Sequence, residues 1–157
     1  MAAGKLEKNK DHIFKSDVSN VSLTWTIPNF RMLKDNIGYQ LQSSKFYCEY
    51  YRETLYWCLS LYPGGKFANK YVAVYLHTIS DKKDTSKYAV QFSFIIAGHL
   101  WNHGLTKIDY FDQLAPTHGF DSFIHRDILL NEKNEWLTDG TSNVHDNQMY
   151  NGSLLER

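Results

Sequence analysis

The chain has 157 residues, with 17 Lys and Arg against 17 Asp and Glu, so its formal net charge is zero. That length suits a single domain, and the balance of charge argues against a dedicated binder of nucleic acid or acidic membrane, which would carry a basic stripe. Hydrophobic residues at 43% and charged residues at 22% exclude wholesale disorder, while the 15% of aromatic residues favours pleated, half-buried surfaces.

The first residues, 1–17, are polar and lysine-rich, with no apolar core of the signal-peptide kind, and are expected to form a flexible leader in an intracellular protein of the nucleus or cytoplasm. Val21, Leu23, Trp25 and Ile27 then alternate with small polar residues, which predicts a strand ended by Pro28-Asn29. Further strands are predicted over Ile37–Gln42, Phe46–Tyr50 and Leu55–Tyr62, the last stopped by Pro63-Gly64-Gly65. Tyr71–Ile79 and the apolar Tyr88–Ile96 follow, then a short strand near Thr106–Tyr110. Asp121 or Ser122 is placed to cap a short helix that turns Phe123 and Ile124 inward. Beyond Trp136-Leu137 the alternation stops, so residues 138–157 are expected to be a disordered polar tail. Strand signals at this spacing predict an all-β sandwich or barrel. No apolar run approaches the roughly 18–20 residues that span a bilayer. Two cysteines, Cys48 and Cys58, make no disulfide framework and read as reduced, buried thiols.

Chemistry-bearing patterns are sparse. His99 and His103 share a helical spacing, but the flanking glycines favour a hairpin turn, and no metal or cofactor is expected. His118 and His125 lack an evident nucleophile with an orienting acid. Asp109, Asp112 and Asp121 offer paired carboxylates of the glycosidase kind, with loop solvation as the simpler account. No catalytic residue is therefore assigned. Tyr75, Tyr110 and Phe120 differ from the core rings, because they fall at a strand interior, a strand end and a loop edge. Partly exposed rings beside a sheet edge suit a peptide, which gains affinity by strand addition and specificity from side-chain pockets.

Four motifs occur in order. Trp25-Thr26-Ile27-Pro28-Asn29-Phe30 resembles the opening W-x-I-x-N-F signature of MATH, or TRAF-like, domains. Leu55 to Gly65 is similar to that family's strand and P-x-G turn, and Tyr71-Val72-Ala73-Val74-Tyr75-Leu76 to its next strand. Gly119-Phe120, followed by Phe123-Ile124, Arg126 and Leu129-Leu130, resembles its G-F-x-x-F-I-x-R-x-x-L-L segment. The resemblance spans residues 18–137 and is nearest to the MATH–BTB family typified by the speckle-type POZ protein. It implies a non-catalytic antiparallel β-sandwich with one short helix. The relatives' MATH domain captures a short linear peptide of a protein substrate, and their BTB domain recruits a cullin ubiquitin ligase.

The same resemblance places the family's cleft aromatics on Tyr75, Tyr110 and Phe120, with the backbone around His118-Gly119. His118 stands at the family's Trp, Pro116-Thr117 at its Lys-Asp, Val90 at its cleft Phe, Ser60 at its cleft Arg and Asp121 at its Lys. The expected peptide-binding set is therefore Tyr75, Tyr110, Thr117, His118, Gly119, Phe120, Val90, Ser60 and Asp121. With those basic groups replaced, acidic or phosphorylated peptides are expected to be attracted weakly. The family closes its sandwich with a last apolar strand beside the first. The polar tail offers none, so that strand is expected to be missing and an edge left open. No BTB-like segment is read either. This leaves a second expectation, of a truncated MATH protein that pairs with full-length MATH–BTB relatives and lacks ligase recruitment.

Overall fold

A computed structural model describes residues 3–9, 19–50, 53–68, 70–79, 87–97, 102–131 and 153–156. Its strands are β1 (Ala3–Asn9), β2 (Ser19–Thr26), β3 (Leu41–Gln42), β4 (Phe46–Tyr50), β5 (Glu53–Tyr62), β6 (Tyr71–Ile79), β7 (Tyr88–Ala97), β8 (Asn102–Phe111), β9 (Thr117–His125) and β10 (Ser153–Glu156). A 3-10 turn covers Phe30–Met32, and the helix α1 covers Arg126–Leu130. One sheet runs β1-β2-β10-β7-β8 and the other β3-β5-β6-β9, with β4 also pairing with β5, all antiparallel. This is the expected antiparallel β-sandwich with a single short helix among the described residues. None of the described helices is long and apolar enough to cross a membrane.

Period-two alternation builds the core between the sheets. Val21, Leu23 and Trp25 from β2, Trp57, Leu59 and Leu61 from β5, and Val72, Val74 and Leu76 from β6 all turn inward. β7 contributes Phe92 and Phe94, whose rings pack edge-on at 5.4 Å. Phe111 meets Trp57 at 5.3 Å and Phe92 at 5.8 Å, so aromatic edges link the two sheets. Cys48 and Cys58 are buried and form no disulfide, and the Trp57 indole N–H donates to Cys48 Sγ at 3.3 Å.

The Pro63-Gly64-Gly65 stop is a tight turn. Gly65 has φ +87°, and a Cβ there would lie 1.8 Å from the Ala68 carbonyl oxygen. Its amide donates to Tyr62 O at 3.0 Å, and its carbonyl accepts from the Gly38 amide at 2.9 Å.

Several elements differ from expectation. Ala3–Asn9, within the expected flexible leader, pairs residue for residue with β2. Ser153–Glu156, within the expected disordered tail, lies between β2 and β7, where the missing strand belongs. The sandwich is thus closed by a segment with too few residues to show alternation. The remainder of both ends lies outside the described residues. The strand expected over Ile37–Gln42 shrinks to Leu41–Gln42, and the short strand expected near Thr106 extends over Asn102–Phe111. The helix also starts later. Pairing of Val72 with Ile124 and Tyr71 with His125 keeps β9 extended past Asp121 and Ser122. His125 therefore caps α1, its Nδ1 accepting from the Asp127 amide at 3.2 Å.

Candidate functional site

The site lies on the face of the second sheet that points away from the core. Because Leu59, Leu61, Val74 and Leu76 point inward, Ser60, Tyr62, Ala73, Tyr75 and His77 must point outward. Cross-strand register aligns Gln42, Ser60, Tyr75 and Gly119 in one row over β3, β5, β6 and β9. Tyr75 packs directly on Gly119. A Cβ at Gly119 would lie 2.1 Å from Val74 O and 2.9 Å from Tyr75 Cδ1, so only glycine lets this ring settle on β9. Tyr75 is 6% exposed and meets Tyr62 edge-on at 5.7 Å. Its hydroxyl is buried and has no hydrogen-bond partner among the described residues.

A polar row runs beside this pair. Gln40 Nε2 donates to Ser60 Oγ at 2.6 Å, Ser60 Oγ is hydrogen-bonded to His77 Nε2, and His77 Nδ1 meets Thr117 Oγ1 at 2.7 Å. With Ser60 donating to Nε2 and Nδ1–H donating to Thr117, a neutral imidazole satisfies its neighbours. Burial lowers the His77 pKa below its ordinary 6.5, and the nearby Lys66 charge lowers it further, favouring that neutral ring. Ser60 is fully buried at 0% exposure, so its pairing with His77 presents no accessible nucleophile.

Lys66, placed by the glycine turn, covers this face. Its ammonium lies 4.4 Å from the Tyr75 ring centroid, 5.2 Å from Phe67 and 5.7 Å from Tyr62. These are cation–π distances.

A second cluster forms where the terminal strands β8 and β9 meet across the sandwich. Asp109 Oδ2 lies 3.2 Å from Lys107 Nζ and 3.1 Å from His118 Nδ1. The His118 ring packs edge-on against Phe111 at 4.5 Å, and its Nε2 meets Ala115 O at 3.1 Å. Lys107 also reaches Gly119 O at 3.4 Å and lies 5.9 Å from the Phe120 ring. Desolvation alone would raise the Asp109 pKa. The hydrogen bonds from Lys107 and the Tyr110 amide, with the charges of His118 and Lys107, outweigh it and hold the carboxylate below its usual range.

The structure therefore divides the expected peptide-binding set. Ser60, Tyr75, Thr117 and Gly119 converge on the outer face of the second sheet. His118 and Phe120 lie one residue out of phase on β9 and turn toward the other sheet, where Phe120 meets Phe94 at 5.9 Å. Tyr110 is 56% exposed on the outer face of the first sheet, with Lys87 5.1 Å from its ring. The neighbouring Asp109, not Tyr110, points toward His118. Val90 is buried in the core, and Asp121 is exposed on β9. Sequence reading missed Gln40, Lys66 and His77. His77 lies two residues after Tyr75 on the same strand face, a signal visible in the sequence. Lys66 carries none, because its position depends on the turn.

The other chemistry-bearing residues are occupied in loops and packing. Asp112 Oδ1 accepts from the amides of Leu114 at 2.9 Å and Ala115 at 2.7 Å. His103 Nε2 meets Phe123 O at 2.7 Å, and His99 lies outside the described residues. Among the described residues no group of three or more His, Cys, Asp or Glu converges as a metal site. A family model described as MATH domain matches residues 22–145. That match covers well over half of the sequence, so the chain belongs to the MATH domain family and is a protein-interaction module.

Proposed function

We propose that the chain is a non-catalytic module that captures a short linear peptide of a protein substrate on the β5–β6–β9 face. The observation that supports this best is the seating of Tyr75 on Gly119, next to the edge of β9 that carries no further strand among the described residues. A peptide laid along that edge gains backbone hydrogen bonds, and the Tyr75–Tyr62 pair offers a pocket for one of its side chains. Engagement of Asp109 in ion pairs and of Asp112 in a loop, with Ser60 buried, supports a role without catalysis.

The wider role rests on the resemblance to MATH–BTB adaptors. In this reading the captured protein is presented to a cullin ubiquitin ligase inside the cell, in the nucleus or cytoplasm. The alternative, pairing with full-length MATH–BTB relatives through an open edge, has less support because β10 occupies the place between β2 and β7.

An array of short Ser/Thr-rich peptides tests the dock. Wild-type protein is expected to retain a subset of peptides, and Tyr75→Ala to lose them by about tenfold or more, the scale of an anchor residue. Tyr110→Ala, on the other sheet, is expected to bind as wild type does. Retention of no peptide, or unchanged binding by folded Tyr75→Ala, overturns the assignment. Co-precipitation with a MATH–BTB relative and cullin tests the adaptor role separately.

A further inference from the structure

We propose that Lys66, held over Tyr75, is the handle for an anionic side chain of the bound peptide. This rests on the peptide-dock reading above and specifies what that dock selects.

Three observations carry it. First, the ammonium is preorganised, because the rings of Tyr75, Phe67 and Tyr62 hold it at 4.4, 5.2 and 5.7 Å. A long, flexible lysine normally loses rotamer freedom when it binds an anion, and here the rings have already restricted it. Second, what is left over on this face is a set of donors. The Gln40–Ser60–His77–Thr117 row satisfies itself. Among the described residues the Lys66 ammonium has no ion pair and the buried Tyr75 hydroxyl no hydrogen-bond partner. Rings satisfy the charge of an ammonium but offer its N–H groups no oxygen acceptor. Third, the carboxylate of Asp35, whose backbone lies against the Gly64 turn, is engaged elsewhere, with Arg126. An unpaired cation beside a hydroxyl is complementary to a carboxylate or a phosphate. A handle of this kind runs against the expectation that acidic peptides are attracted weakly, because Lys66 on the turn would supply a basic group where the resemblance implies one at Ser60.

The test uses four pools of otherwise randomised short peptides with one position fixed as Glu, phosphoserine, Gln or Lys, measured by fluorescence anisotropy on the full chain. Wild type is expected to prefer the Glu or phosphoserine pool over the Gln pool by about three- to fivefold, the range of a partly exposed ion pair, with the preference fading as salt rises. Preference for Glu identifies a carboxylate source and preference for phosphoserine a phosphate source. Lys66→Gln should equalise the pools, and Lys66→Arg should restore the preference. Binding of all pools without an acidic preference, or a preference that survives Lys66→Gln, overturns this inference alone. Binding of no pool by wild type overturns the dock itself, and this inference with it.

Discussion

Gly119 is the residue on which the outer face turns. Its missing side chain is the space in which Tyr75 lies, and even Gly119→Ala would drive a methyl against the Val74 carbonyl at 2.1 Å. That contact is with backbone and cannot be relieved by a rotamer. A loss of about 2–3 kcal/mol is expected, measured by urea unfolding. Tyr75→Phe should behave in the opposite way. It removes a buried hydroxyl that has no partner among the described residues and keeps the ring, so the free domain should be unchanged or gain up to about 1 kcal/mol. His77 sets a pH dependence. Because its folded pKa lies below the unfolded value of 6.5, the unfolded chain takes up the proton first. Stability present above that value is lost as pH falls below it. Asp109 acts in the same sense at lower pH, its stabilising charge being lost as the carboxylate is protonated in the acid range. Thermal melts of wild type and His77→Gln between neutral and mildly acidic pH should differ in slope, with the variant flatter. Equal slopes would remove His77 as the source.

At the scale of elements, the facing of β8 decides which side chains the two terminal strands share. Odd-numbered residues from His103 to Phe111 turn toward the second sheet, and even-numbered ones, including Tyr110, turn away. Asp109→Asn should therefore loosen β8 from β9 by removing the charged partner of Lys107 and His118. Faster amide exchange confined to Thr117–Phe120 would report it, and unchanged exchange would refute it. Much of this level was legible in the sequence. Phe46–Tyr50 and Tyr71–Ile79 end where their alternation ends, because a strand must keep period two to hold its core-facing residues inward. The face of Tyr110 was not legible from a motif aligned by its order in the chain. One position along a strand reverses the side, and the phase of β8 is fixed by its pairing with β7. The helix start was obscured for a similar reason: Asp121 and Ser122 are good caps, but the pairing of β9 with β6 continues past them. Four of the nine residues expected to line the dock, Ser60, Tyr75, Thr117 and Gly119, lie on one sheet face, because Ser60, Tyr75 and Gly119 share one cross-strand row and His77 of the same face bonds Thr117.

At the scale of the whole molecule, the first sheet consists of two strand pairs, β1–β2 and β7–β8, joined by β10. Deletion of residues 153–157 should leave facing edges of β2 and β7 unpaired and promote self-association, visible as larger species in analytical ultracentrifugation. A variant that remains monomeric and equally stable would show that β10 contributes little to closure. The core beneath this sheet is continuous with that beneath the second, so Phe94→Ala should cost about 3–5 kcal/mol and unfold the domain as one unit.

The position of β10 also has a consequence for synthesis. The strand that joins the first sheet lies at Ser153–Glu156, while its partner β2 begins at Ser19. On the ribosome, β5, β6 and β9 emerge and can pair while β2 and β7 still lack the strand between them. The face that carries Tyr75 and Lys66 can thus assemble before the sandwich closes. Closure must wait until residue 156 clears the exit tunnel, after every other described strand has emerged. During that interval the nascent chain exposes two strand edges to which a chaperone can bind.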